Sequence, residues 1–408
     1  MDYLKKALTC FEKKEFQKAL EYFEKIIAVD PDLKEVWLNL GITYGILEEY
    51  QKSIDCFKKA LELDPHYKVA WNSMCITYRN IGDYVSAIDC CEHALQLDPY
   101  DKVAWYDMGC AYKELLNHKK AIDALKKAIE IDPQYIDAWN QLGMTYADIQ
   151  DYEKMLEIFK KLVEINPKNA DAWNSMGIAY IELDDFHSAI DCFEKAIEID
   201  PNYKYAWNNL GTVYDDIGDY EKAIECYEKT LAIDPLYKYA WNNVGNAYSK
   251  IGEAEKALTF YEEALKLDPH YKYAWMNMGN AYENIGDSYK AIECYEKALE
   301  IDPDFTAAWT ALGDVYYEIA DFEKAIESYE HAIQIDPEFK IAWYGLEKVY
   351  EDIGQYQKAI ECHEKAIKIA TNQLLKEEDP LKILKFRLAK GEITQEEYLE
   401  MKKLLKDD

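Results

Sequence analysis

Ten cysteines, seven histidines and 78 Asp and Glu residues give this chain material for metal binding, redox exchange or acid–base work, and their spacing decides whether it is used. Six cysteines, Cys56, Cys90, Cys192, Cys226, Cys294 and Cys362, recur 19 residues after a tryptophan, which places each on the same helix of a repeated unit. Packed helices keep their axes about 8 to 10 Å apart, too wide for equivalent positions to close an unstrained disulfide. Cys90 and Cys91 are neighbours in sequence and point about 100° apart on a helix. No Cys-x-x-Cys pair and no His-Glu-x-x-His run occurs. The spacing therefore predicts reduced thiols used as small apolar residues, no metal site and no cofactor. There is no glycine-rich phosphate loop and no nucleophile elbow, and the carboxylates recur with the period of a solvated face, so no catalytic residues are assigned and the chain does not read as an enzyme.

The side chains that do form a pattern are rings and amides. Tyr205, Tyr239 and Tyr273 stand 34 residues apart, as do Asn209, Asn243 and Asn277, and as do Thr212, Asn246 and Asn280. Amides pair with a peptide backbone whatever its sequence, and rings supply contact area at low entropic cost, so these ladders suit recognition of an extended peptide. Toward the carboxyl end acidic residues join them: Asp215, Asp216, Glu283, Asp314, Glu318, Glu351 and Asp352. A basic segment would be steered there. Recent duplication of near-identical units accounts for the ladders equally simply, and solvation for the acids.

The elements that carry these residues follow from one period. Tryptophans stand at 37, 71, 105, 139, 173, 207, 241, 275, 309 and 343, prolines six residues before each, and tyrosines seven residues after each. Counting tryptophan as zero, apolar or small residues at 0, 3, 4 and 7 make one helical stripe, and those at 16, 20, 23 and 24 make a second. Each unit is thus a helical hairpin. Small residues at 4, 16 and 23 let the helices approach, while the tryptophan, the tyrosine and the aromatic at 20 fill the space left. Gly82-Asp83, Gly218-Asp219 and Gly286-Asp287 mark turns between helices, and Asp-Pro steps close most second helices. A unit that cannot bury its own apolar face must stack on its neighbours.

On these residues the chain resembles the tetratricopeptide repeat family, whose Trp, Leu-Gly, Tyr, Ala, Phe, Ala, Pro pattern appears in ten consecutive units starting at 34, 68, 102, 136, 170, 204, 238, 272, 306 and 340. A degenerate unit, 1–33, precedes them, with Tyr3 at the tryptophan position and Ala19, Phe23 and Pro31 in phase. The resemblance spans 1–373. It implies an all-α fold, a right-handed α-solenoid superhelix of antiparallel helix pairs, with first helices lining a concave wall that binds protein. Offsets −2, 1, 2, 5, 8 and 9 lie opposite the core stripe, and the resemblance makes that side the concave wall. Some family members clamp the carboxylate tails of heat-shock proteins with lysines and asparagines. Here Asn246 and Asn277 match the amides, but Asn242, Ala307 and Ala311 stand where cations are needed, so that clamp is absent.

Composition narrows the partner. With 47 Lys and Arg against 78 Asp and Glu, the formal charge is −31, which repels nucleic acid and anionic membranes. Only two arginines occur, Arg79 and Arg387, removing the side chain best suited to bidentate phosphate contacts. No apolar stretch is long enough to span a membrane, and residues 1–14 lack a signal-peptide core, so a cytoplasmic protein is expected.

The tail, 374–408, breaks phase. Thr371 replaces the usual proline, so the last second helix should run on through Leu375 before Asp379-Pro380 starts a short helix to Lys390. Thr394 and Glu397 form a capping box, with Ile393 and Tyr398 as its staple, for a helix through Leu405. This Leu, Gly, Ile-Thr, Glu-Glu-Tyr, Lys-x-Leu-Leu pattern resembles the short C-terminal domain known as SHOCT. That resemblance implies oligomerisation or tethering; simple capping of the array is the alternative, and a helical hairpin this small needs a partner either way. The sequence as a whole points to a non-catalytic scaffold that binds a neutral or basic protein segment. The alternatives are a self-assembling protein, homo-oligomeric through 374–408, and a regulatory subunit of a separate enzyme.

Overall fold

At each Asp-Pro step the chain turns from one hairpin into the next, and side-chain hydrogen bonds fix the corner. In the computed structural model, which describes residues 2–376, Asp268 Oδ1 accepts the His270 N–H at 2.9 Å while its Oδ2 accepts Lys238 Nζ from the start of the same repeat at 2.5 Å. The Pro269 carbonyl accepts Trp275 Nε1–H at 3.0 Å. The same bonds recur at Asp64, with His66, Lys34 and the Pro65 carbonyl to Trp71. One corner thus accounts for aspartate, proline, tryptophan and the lysine three residues before tryptophan recurring together.

First helices of 13 residues, from Lys34–Ile46 to Lys340–Asp352, alternate with second helices of 14 residues such as Tyr50–Leu63 and Ser288–Ile301. Among the described residues there are twenty-two helices and no strand. First helices end on a residue with positive φ, glycine at Gly286 (79°) but leucine at Leu116 (57°) and alanine at Ala320 (60°). An aspartate or asparagine then caps many of the second helices: Asp83 Oδ1 accepts the Ser86 N–H at 3.1 Å. The last second helix, Tyr356–Lys376, runs 21 residues, as the loss of its proline predicts. The tail helices and capping box expected beyond it lie outside the described residues.

The chain divides into two compact units, Met1–Val213 and Tyr214–Asp408. Each is an α-solenoid stack of antiparallel helix pairs. In both, the most deeply buried rings are those at offset 20, Phe57, Phe159 and Phe193 in the first and Tyr227, Tyr261, Tyr295 and Tyr329 in the second. Each tryptophan is half-buried, held at its corner by its indole N–H while its ring packs against the core shared by neighbouring repeats, as Trp241 and Trp275 do. The glycine at offset 4 sits against the offset-20 ring so closely that a methyl on Gly245 would come within 2.5 Å of Tyr261 Cε1. Alanines at offsets −1 and 6, such as Ala240 and Ala247, are also fully buried. The first helix is wrapped on a wider arc than its predicted stripe because neighbouring first helices and two second helices pack around it.

Two repeats alter the glycine–ring pair at both positions: the last places Glu347 and His363 there, 2.8 Å apart, and 68–101 carries two cysteines. Cys75 occupies the glycine site and Cys91 the ring site, and they are joined by a disulfide across the hairpin, Cα to Cα 5.9 Å. This corrects the expectation of ten reduced thiols. Bonding joins two different offsets within one hairpin, which the spacing of equivalent positions does not forbid. Of the eight free cysteines, Cys10 is partly exposed and the other seven are buried.

Candidate partner-binding face

In the second unit the N-terminal ends of the first helices carry a run of rings. Tyr237, Tyr239, Tyr271, Tyr273 and Phe305 contact one another in that order, edge to face, with centroids 5.3, 5.6, 5.9 and 5.5 Å apart. Tyr239 and Tyr273 stay 45% and 50% exposed. A tyrosine two residues before tryptophan has no core to enter, because Ala240 and Ala274 occupy the inward position next to it. Lysines lie over the rings: Lys238 Nζ is 5.1 Å from the Tyr239 and Tyr271 centroids, and Lys272 Nζ is 5.1 Å from Tyr273 and 4.8 Å from Phe305. Asp268 and Asp302 pair with these cations at 2.5 Å, so the strip carries its charge in compensated form.

Beside the strip runs a row of amides, several of them engaged within the fold. The buried offset-20 tyrosines reach through the hairpin to offset 5: Tyr261 O–H donates to Asn246 Oδ1 at 2.8 Å, and Tyr295 Oη lies 2.7 Å from Asn280 Oδ1. Asn277 Nδ2 donates to Asn242 Oδ1 at 3.0 Å, linking successive first helices. Asn242 itself is 4% exposed, so offset 1, expected on the open wall, turns into the contact between helices instead. Asn243 is half-buried beside Asn242, 3.5 Å from its Nδ2.

The acidic residues divide by their partners. Glu283 bonds Tyr295 Oη and is half-buried. Its burial pushes its carboxyl up to about 7, with the charges of Glu318 and Asp314 adding to the shift and the Tyr295 bond opposing it. Asp314 keeps an edge open to solvent, yet the protein crowded around its carboxyl raises its pKa; it accepts Tyr329 O–H at 2.6 Å. Asp215 pairs with Lys250 at 2.6 Å through one oxygen, and its other oxygen is buried without a partner. Burial raises the neighbouring Asp216, and Asp352 accepts Tyr317 O–H at 2.7 Å. Glu318 and Glu351 are exposed.

The remaining predicted residues lie in the first unit. Tyr205, 46% exposed, meets Tyr203 edge to face at 5.7 Å. Asn209 Nδ2 donates to Asn174 Oδ1 at 3.0 Å, and the Thr212 hydroxyl donates to its own helix at the Asn208 carbonyl, 3.2 Å away. Sequence reasoning missed what this unit presents at offset 5. Ile76 and Met144 are exposed there, where the second unit has Asn246 and Asn280. It also missed an ion pair between Arg79 and Asp107, whose carboxylate is buried and raised to about 6 by desolvation, with Arg79 pulling it down. The signal was present: Arg79 stands at offset 8 and Asp107 at offset 2 of the next unit.

Among the described residues no group of His, Cys, Asp and Glu could hold a metal ion, and no helix is long and apolar enough to cross a membrane. Family models described as "Tetratricopeptide repeat" match 35–67, 69–101 and 273–305, with related repeat models at 3–33, 169–270, 294–327, 313–354 and 342–378. The model "Cytochrome c-type biogenesis protein H TPR domain" matches 91–202, and "Short C-terminal domain" matches 379–405. No curated protein matches the chain. Among solved structures, yeast Tom70 superposes with a TM-score of 0.51 at 15% identity, covering 90% of this chain and 91% of that one. The Cut9–Hcn1 hetero-tetramer of the APC/C gives 0.50 at 15%, covering 90% and 92%. MamA is 33% identical over 41% of this chain and 92% of its own, with a TM-score of 0.38.

Proposed function

Because this chain belongs to the tetratricopeptide repeat family and serves as a protein-interaction scaffold, we propose that it acts without catalysis, binding an extended neutral or basic segment of a partner protein along a concave wall of first helices. The observation that carries this is the unbroken run of half-exposed rings from Tyr237 to Phe305 beside the asparagines. Edge-to-face contacts hold those rings before any ligand arrives, so little side-chain entropy is lost on binding. Glu283 and Asp314 at the adjoining edge favour a basic over an acidic segment. We further propose that 1–373 forms the repeat array and 374–408 a separate attachment segment, in a cytoplasmic protein that takes no nucleic acid and no membrane as partner.

A peptide library graded in net charge, screened against the full chain and against Tyr239→Ala with Asn243→Ala, tests the proposal. Neutral and basic peptides should bind the native chain and lose affinity for the variant, whose helicity should be unchanged because neither side chain enters the core. Equal binding to both proteins would place recognition elsewhere. The short C-terminal domain match at 379–405 favours a second mode, self-association through the tail. Light scattering of the chain with and without 374–408 separates the two: a mass that halves on deletion supports self-assembly.

A further inference from the structure

The internal hydrogen bonds of the amide row have a direction. Tyr261 O–H donates into Asn246 Oδ1, Tyr295 Oη sits against Asn280 Oδ1, and Asn277 Nδ2 donates into Asn242 Oδ1. Each tyrosine hydroxyl thus faces an amide oxygen and leaves that residue's Nδ2 turned away, the single Tyr295 proton being shared between Asn280 and Glu283. At Asn246 and Asn280 the Nδ2 groups have no partner among the described residues, and neither is sealed from solvent. This row thus offers donors, beside a ring strip whose two lysines are neutralised by Asp268 and Asp302.

We propose that the strip from Tyr237 to Phe305, with the amides of Asn246 and Asn280, is a docking groove for a proline-rich segment in the polyproline II conformation. The proposal presupposes that this face binds peptide, and it names the class. An ordinary extended peptide brings an N–H at nearly every residue, and each needs an acceptor that unpaired Nδ2 groups do not supply. A prolyl residue has no N–H and presents only its carbonyl, so a row of donors meets its whole hydrogen-bonding demand. Prolyl rings are flat, apolar and uncharged, which suits tyrosine faces whose neighbouring cations are already paired. Spacing agrees as well. Tyr239 and Tyr273 are joined by ring steps of 5.6 and 5.9 Å through Tyr271, which holds them close enough for adjacent turns of a polyproline helix, rising roughly 9 Å per three residues, to reach both. Such a segment is extended before it binds and loses little entropy on docking.

The decisive variant is Asn246→Asp. A carboxylate keeps the acceptor for Tyr261 but removes the donor, and the fold tolerates it, because Asp314 occupies the same offset and accepts Tyr329 O–H at 2.6 Å. Fluorescence anisotropy of the full chain would use three labelled peptides of equal length: proline-rich, alanine–serine and lysine–serine. The proline-rich peptide should bind most tightly. Asn246→Asp should weaken it by about three- to tenfold, the worth of one hydrogen bond, while leaving the lysine peptide unchanged or tighter. Tyr239→Ala with Tyr273→Ala should abolish the preference, and Tyr239→Phe with Tyr273→Phe should retain most of it. An alanine–serine peptide that binds as well as the proline-rich one, or an indifferent Asn246→Asp, overturns the proposal. Binding of the lysine peptide alone overturns it while leaving a peptide-binding face intact. Binding of none overturns both.

Discussion

Reducing the Cys75–Cys91 disulfide should loosen one repeat and leave distant ones untouched. The bond closes a loop of 16 positions, for which chain-entropy accounting gives about 3 kcal/mol, or roughly a hundredfold in the opening equilibrium of that hairpin. In a stacked array stability is a sum of unit and nearest-neighbour contributions, so the effect should stay within 68–101 and the repeats on either side. Hydrogen exchange read by mass spectrometry, with and without reductant, gives the local opening free energy peptide by peptide. Thiol titration in non-reducing denaturant should find eight reactive cysteines of the ten. Cys75→Gly with Cys91→Phe restores the pair used by most other repeats, as in Gly41 with Phe57, and should make exchange across 68–101 independent of reductant. Ten reactive thiols in the native chain, or protection that ignores reductant, would refute the crosslink.

Glu283→Gln tests the buried carboxyl. Its pKa rises from 4.5 to about 7 in the folded chain, so the native state holds a proton that the unfolded state releases, and stability falls as pH climbs through that window. The amide should flatten this slope and add about 2 kcal/mol above about pH 7, measured by denaturant melts at several pH values; an unchanged slope would show the carboxyl to be solvated. Gly245→Ala should cost about 1 to 3 kcal/mol, since its methyl would lie 2.5 Å from the Tyr261 ring, and a neutral melt would contradict the close approach. Leu116→Gly should stabilise by about 1 kcal/mol, because Leu116 holds φ at 57° where glycine has no penalty, and a loss of stability would show its side chain to be needed.

The hairpins, their boundaries and the core stripe were legible because packing imposes one spacing on every copy, and ten copies average out local noise. The corner was only half legible. Proline and aspartate announced a turn, but that Lys238 Nζ and Trp275 Nε1–H also close it depends on the repeat's own first helix and the next repeat's first helix both coming back to that point. Helix-wheel counting placed Tyr239 and Tyr273 outside correctly and Asn242 incorrectly, for one reason. A wheel knows the partner helix across the hairpin but not the neighbouring first helix, and it is that neighbour, through Asn277, that covers Asn242. The disulfide is not legible from the spacing of equivalent positions, because the bond joins offset 4 to offset 20 of one repeat.

What the packing leaves free is what carries information. Offsets −1, 3, 4, 6, 20 and 23 are held to small or apolar residues by burial, so they say how the array stands and nothing about what it meets. Offset 5 is under less constraint and varies accordingly: Ile76, Cys110 and Met144 in one unit, Asn246, Asn280, Asp314 and Lys348 in the other. The position turns from mostly apolar residues in the first unit to polar and charged ones in the second. The second unit ties this variation to its core, since Tyr261, Tyr295 and Tyr329 each bring a hydroxyl to the offset-5 side chain. Replacing phenylalanine by tyrosine at offset 20 therefore does more than fill the hairpin: it ties the amide or carboxylate at offset 5 to the core by a hydrogen bond.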